Sequence, residues 1–126
     1  MIILAIALGG AAGALLRYWL SAWVTTTLGI AFPYGTLAVN VVGSLLAGTI
    51  YVVLAERALL DTALRALLLV GLFGSFTTFS AFSLETVYLL KDGQLVKVAL
   101  NVLGSVLLAV GAAWVGVTAA RSYFAV

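Results

Sequence analysis

The chain contains neither cysteine nor histidine. Disulfides, thiol chemistry and the usual zinc or haem ligands are thereby excluded. The commonest general base is missing as well. Charge is also scarce. Only 8% of the 126 residues are Asp, Glu, Lys or Arg, against roughly 25% in a soluble domain. Six basic and four acidic residues leave a net charge of +2, too thin a surplus to mark a nucleic-acid surface. No carboxylate pair and no metal-ligand cluster stands out, so an enzyme is not expected. No Lys or Arg precedes Arg17, so the opening lacks the positive segment of a secretory signal. Its apolar run continues to Val24 and reads as a first membrane helix.

What is present is apolar. Hydrophobic residues make up 65% of the chain, and the mean hydropathy is +1.29. A crossing takes about 20 residues, and four stretches are long enough. They are Ile2–Thr25, Tyr34–Ala55, Thr62–Leu90 and Leu95–Ala120. The short connections include Gly29–Pro33, a polar Glu56-Arg57 to Asp61 segment and a Lys91-Asp92-Gly93 turn. Consecutive helices should therefore be antiparallel neighbours. The expected fold is an all-α membrane protein, one transmembrane domain over residues 1–126. Residues 74–78 should break its third helix near the centre.

Four spans place both termini on one side, with Arg57, Arg65 and Arg121. The other side holds Lys91 and Lys97, with Arg17 towards the same end of the first helix. Three against three gives almost no orientation signal. Insertion in both orientations, and hence an antiparallel homodimer, is compatible with that balance. Gly9 and Gly13 form a GxxxG pair, Ser44 and Gly48 a second small-residue pair, and the last span holds Gly104, Gly111 and Gly116. Such positions let helices approach closely in lipid.

Polar residues at membrane depth are expensive and usually line a path or a site. Gly74 to Phe82 read Gly-Ser-Phe-Thr-Thr-Phe-Ser-Ala-Phe, placing hydroxyls and phenyl rings at mid-span. Thr36, Asn40 and Ser44 recur at i, i+4 and i+8 and share one helix face. Asn101 and Ser105 repeat that spacing. Thr77, Thr78, Ser80 and Ser83 belong to the third span. These groups donate hydrogen bonds without net charge. An anion passed along them would meet no deep electrostatic trap, and conduction needs weak, serial sites. Interhelical hydrogen bonding is the competing use of the same side chains. Phe79 and Phe82 lie about 60° apart around a helix. Phenyl rings carry a positive edge that suits an anion, although packing is the commoner use. A broken helix would also expose carbonyls to cations and N–H groups to anions. Arg17 is a cation within a span and Glu85 a carboxylate within one.

Three blocks resemble a known family. Gly10-Ala11-Ala12-Gly13-Ala14-Leu15-Leu16-Arg17-Tyr18 is similar to the GxxGAxxRY block of the Fluc/CrcB fluoride channels. Gly35-Thr36-Leu37-Ala38-Val39-Asn40 is similar to their GTLxVN block. Gly74 to Phe82 is similar to their GxxTTFSTF block. The resemblance covers all four helices. It implies an antiparallel, dual-topology homodimer in the cytoplasmic (inner) membrane, conducting fluoride passively and selectively through two pores. Phe79 and Phe82 would be the pore phenylalanines, Asn40 the pore amide and Ser105 the hydroxyl on the fourth helix. Thr36, Thr78, Ser80 and Ser83 would belong to the polar track or its surroundings, with Arg17 near a vestibule. The carbonyls of Gly74 and Thr77, from both subunits, would hold a structural sodium ion at the dimer centre.

Two positions depart from the pattern. Ala81 replaces a usual Thr and removes a hydroxyl. Ser75 replaces a usual Gly, and Ser adopts fewer backbone conformations. Two other readings compete. A small dual-topology multidrug exporter would carry an essential Glu in the first helix, and that helix has no carboxylate. A non-conducting scaffold would have no reason to place Asn40, Thr77, Thr78 and Ser105 at mid-span.

Overall fold

The computed structural model describes residues 1–56 and 61–124, without the side chains at 55 and 56. Arg57 and most of the connection expected at 56–61 lie outside the described residues. All regular structure among the described residues is helical. Four stretches are long and apolar enough to cross a membrane: Ile2–Leu28, Tyr34–Leu54, Thr62–Lys91 and Leu95–Phe124.

Helix α1 runs Ile2–Leu28, three residues further than its hydropathy indicates. The extension is self-supporting. The Thr26 and Thr27 hydroxyls return to the Trp23 carbonyl at 2.9 and 2.8 Å, so these polar residues stay helical. Gly29 then ends the helix at φ +85°, a left-handed value that glycine adopts without a Cβ penalty. Pro33 precedes helix α2, Tyr34–Tyr51, which runs on in a wider π winding over Val52–Glu56.

The third span is composite. Helix α3 (Thr62–Arg65) passes into a π-helical run (Ala66–Phe73) and then helix α4 (Gly74–Phe76). After two extended residues, helix α5 runs Phe79–Lys91. Helix α6 occupies Leu95–Phe124, with Arg121 in its last turn, where a cation complements the helix dipole.

Close approach between spans rests on glycine. A Cβ on Gly9 would overlap the Leu67 carbonyl, and one on Gly13 the Leu72 carbonyl, so α1 lies backbone-to-backbone on the π-helical run. A Cβ on Gly71 would come within 2.8 Å of the Ile6 carbonyl from the opposite side. Gly48 and Gly116 play the same part between α2 and α6, whereas Gly104 and Gly111 face open space. Two polar ties fix the ends. Lys97 Nζ donates to the Ala31 carbonyl at 2.7 Å, joining the α1–α2 loop to the start of α6. Arg65 donates twice to the Leu54 carbonyl, at 2.9 and 2.6 Å, joining the start of the third span to the end of the second.

Helix α5 differs from its neighbours in having no buried residue. Within one chain, its side-chain hydrogen bonds to other elements run to Thr36 and Asn101, and its N-cap Thr78 bonds Asn40.

Candidate functional site

The break in the third span begins with backbone angles. Gly74 keeps helical values, φ −62° and ψ −33°, so the glycine is not the hinge. The hinge is Thr77 (φ −79°, ψ 157°) followed by Thr78 (φ −149°, ψ 120°). Both are β-branched and suit extended backbone. Ser75 in place of glycine therefore demands no unusual conformation, because it lies inside α4. Thr78 caps α5: its Oγ1 accepts from the Ala81 N–H at 3.2 Å.

Asn40 of α2 holds the break open. The Thr78 N–H donates to Asn40 Oδ1 at 2.7 Å, and Asn40 Nδ2 donates to the Thr78 carbonyl at 2.9 Å. Non-helical backbone at membrane depth must be satisfied by protein or line a cavity. Here it does both. The amide expected to face an ion thus also clamps the backbone.

A cavity of about 290 Å³ opens beside this clamp. Asn40, Ser44, Thr77, Thr78, Phe79, Phe82 and Ser105 line it. Val106, Ala109 and Val110 of α6 supply an apolar wall, and no lining residue is charged. The Phe79 and Phe82 centroids are 5.2 Å apart with planes tilted by 46°. Phe79 is 77% exposed, so a single chain leaves its ring uncovered. Ser44, read from the sequence partly as a packing residue, contributes its hydroxyl position to this cavity.

The remaining expected residues lie elsewhere. Thr36, Ser80 and Arg17 line a separate open cleft of about 590 Å³, together with Ser21, Thr25 and Glu85. Thr36 Oγ1 donates to Glu85 Oε1 at 2.7 Å, and Glu85 Oε2 is buried with no hydrogen-bond partner among the described residues. Thr78 lines both the cleft and the cavity and so forms their junction. The Thr78 and Ser80 hydroxyls are 3.2 Å apart there. Ser83 lines neither space. Its hydroxyl folds back onto the Phe79 carbonyl at 2.8 Å. The polar stripes thus border two spaces that meet at Thr78. A third recess of about 380 Å³ shares Ser21, Thr25, Thr36 and Glu85 with the cleft and extends to Lys97 and Asp92. Ser21 and Thr25 continue the i, i+4 spacing from Arg17, and all three line the cleft from one face of α1.

A metal held by side chains finds no support: among the described residues no group of three His, Cys, Asp or Glu is assembled. Backbone oxygen is different. The Gly74 carbonyl would ordinarily accept from the Thr78 N–H, which goes to Asn40 instead. Thr77 keeps its N–H on the Phe73 carbonyl at 3.1 Å, but its extended ψ turns its own carbonyl away from the helical direction. These two carbonyls are hard oxygen donors at a half-helix end, the type of group that coordinates sodium in broken membrane helices.

With that geometry described, likeness to known proteins is specific. The family model for "CrcB-like protein, Camphor Resistance (CrcB)" matches residues 4–117. A "Fluoride-specific ion channel FluC" of Methylococcus capsulatus is 54% identical over 117 residues, 93% of this chain and 51% of its own length. The chain thus spans about half of that relative. Proteins of the same name from Geobacter metallireducens and Pseudoalteromonas translucida are 49% and 45% identical, over 94% and 88% of this chain and 96% and 92% of theirs. The family is one of ion channels, not enzymes. With four spans and this match, the chain is a multi-pass membrane protein and belongs to the CrcB-like family.

Proposed function

We propose that the protein is a passive, fluoride-selective channel of the cytoplasmic membrane, working as an antiparallel homodimer with two pores. The observation that carries the reading is the uncharged cavity in which Asn40, Thr78 and Ser105 meet the Phe79–Phe82 ring pair. Relatives at 45–54% identity are named fluoride-specific channels.

The chemistry follows from the donors. A small anion leaving water must exchange its hydration for hydrogen bonds of similar strength. Hydroxyls and amides offer that without fixed positive charge. The positive edges of Phe79 and Phe82 add weak attraction, and an apolar wall on α6 discourages water from following. The cleft holding Arg17 and Ser80 serves as a vestibule, and Thr78 passes the ion from vestibule to cavity. The exposed Phe79 ring argues for a second copy that covers it. The near balance of charges permits that copy to insert upside down.

In such a dimer the carbonyls of Gly74 and Thr77 from both copies would hold a structural sodium ion. Such an ion would supply positive charge against carbonyl dipoles freed by the break. The chain's own contribution is the Asn40 clamp, which keeps the Thr78 N–H away from the Gly74 carbonyl.

The test is fluoride efflux from liposomes containing the purified protein, read with a fluoride electrode, with chloride in parallel. Rapid fluoride release without chloride leak is expected. No fluoride release from dimeric protein would overturn the reading and return the polar stripes to helix packing.

A further inference from the structure

Asn101 lines neither the cavity nor the clefts, yet it is 2% exposed and among the most buried side chains. A buried amide without partners would be costly, and its partners are informative. Asn101 Nδ2 donates to Thr86 Oγ1 at 3.0 Å. Thr86 Oγ1 donates to the Phe82 carbonyl at 2.7 Å. Ser105 Oγ, on the other side, donates to Asn101 Oδ1 at 3.4 Å.

The direction of every bond in this chain is forced. A carbonyl cannot donate, so the Thr86 hydroxyl spends its single proton on Phe82. Towards Asn101 it can then only accept, which requires the NH₂ group on that side. The amide oxygen is left facing Ser105, and an amide oxygen cannot donate, so Ser105 must. Amide orientation is thus fixed by the network. The same chain joins two cavity-lining residues on different helices, Phe82 on α5 and Ser105 on α6. α5 buries no residue fully, so this bridge adds a directional tie to its half-buried packing against α6.

We propose that Asn101 is a positioning residue, which acts through Thr86 and Ser105 to set the spacing between the Phe82 ring and the Ser105 hydroxyl. The role rests on the channel reading for its effect on transport, but not for its effect on α5. A second consequence concerns Ser105. Its proton points inward in the resting chain, and the 3.4 Å bond is long enough to be released readily to an arriving anion.

The experiment uses the full chain with Asn101→Leu, Thr86→Val, the double variant, and the exchange Thr86→Asn/Asn101→Thr. Two readouts are taken: the fluoride efflux rate per active liposome, and amide hydrogen exchange over residues 79–91 in detergent. Asn101→Leu and Thr86→Val should each slow efflux about tenfold, since each removes the Asn101–Thr86 bond and one more, that from Ser105 in the first and that to the Phe82 carbonyl in the second. The double variant should fall less than twofold further, and the exchange variant should recover to within about threefold of the parent. Amide exchange over 79–91 should rise in each single variant. A merely structural role would lower the fraction of liposomes that release fluoride, not the rate in those that do. Should Asn101→Leu not fold, Thr86→Val removes the same bond from the less buried side. Multiplying effects, no recovery on exchange, or unchanged amide exchange over 79–91 would each overturn the proposal. If the parent protein conducts no fluoride, the channel reading fails, and amide exchange alone decides whether Asn101 positions α5.

Discussion

Replacing Asn40 with Leu removes both hydrogen bonds that hold the third span open while keeping the side chain's branching and number of heavy atoms. The two losses are unequal. The Thr78 carbonyl still accepts the first helical bond of α5, as an N-cap carbonyl does. The Thr78 N–H has Asn40 Oδ1, at 2.7 Å, as its hydrogen-bond partner. An orphaned buried N–H costs about 1–3 kcal/mol. At ~1.4 kcal/mol per tenfold, that corresponds to a roughly 5- to 150-fold loss of correctly arranged cavity. The chain has one escape. Thr78 can fold its N–H back onto the Gly74 carbonyl, which makes the span continuous. The penalty is then relieved, but the extended pair and its free carbonyls are gone. Both routes predict fluoride efflux down by at least fivefold. They differ at the Thr78 amide, whose hydrogen exchange accelerates if it is orphaned and slows if it re-enters a helix. Asn40→Asp separates clamp from conduction. It keeps the Oδ1 acceptor, so the break persists, but an ionised carboxylate in the cavity should abolish efflux. Efflux within twofold of the parent for Asn40→Leu, together with an unchanged Thr78 amide, would refute the clamp.

The other predictions are shorter. Phe79→Ile/Phe82→Ile keeps apolar volume and removes both positive ring edges, so efflux should cease while the elution volume in detergent stays that of the parent; a conducting double variant would remove the rings from the mechanism. Gly13→Ala places a Cβ on the Leu72 carbonyl and should destabilise by about 1–3 kcal/mol. Gly104→Ala meets nothing within 4 Å and should stay within about 0.5 kcal/mol; equal melting temperatures for the two would contradict the backbone-to-backbone contact. Arg65→Met removes both charge-assisted bonds to the Leu54 carbonyl and should cost about 1.5–3 kcal/mol of thermal stability, with the efflux rate per active liposome unchanged.

How much of this was legible in the residues depends on the range of the interaction involved. The four spans follow from hydropathy alone, because a bilayer demands long apolar runs and the chain has four. Their ends were read short where threonines satisfy themselves, as Thr26 and Thr27 do on the Trp23 carbonyl. The break was placed near Gly74 to Thr78 because glycine and paired threonines weaken a helix. Its position at Thr77 and Thr78, and the helical state of Gly74, depend on a partner 38 residues away. No local pattern reveals that partner. Helical spacing put Thr36, Asn40 and Ser44 on one face, yet that face borders two different spaces. Thr36 reaches Glu85, while Asn40 and Ser44 reach the phenylalanines. Asn40 shows the consequence most clearly. Composition presents its amide as a donor for an ion, with two N–H groups and an oxygen on offer. Folding commits the oxygen and one N–H to the Thr78 backbone. What remains for an anion is a single N–H, held rigidly by the clamp. On the channel reading, one such donor beside two ring edges and the Ser105 hydroxyl would make a weak site, and a weak site is what rapid passage requires.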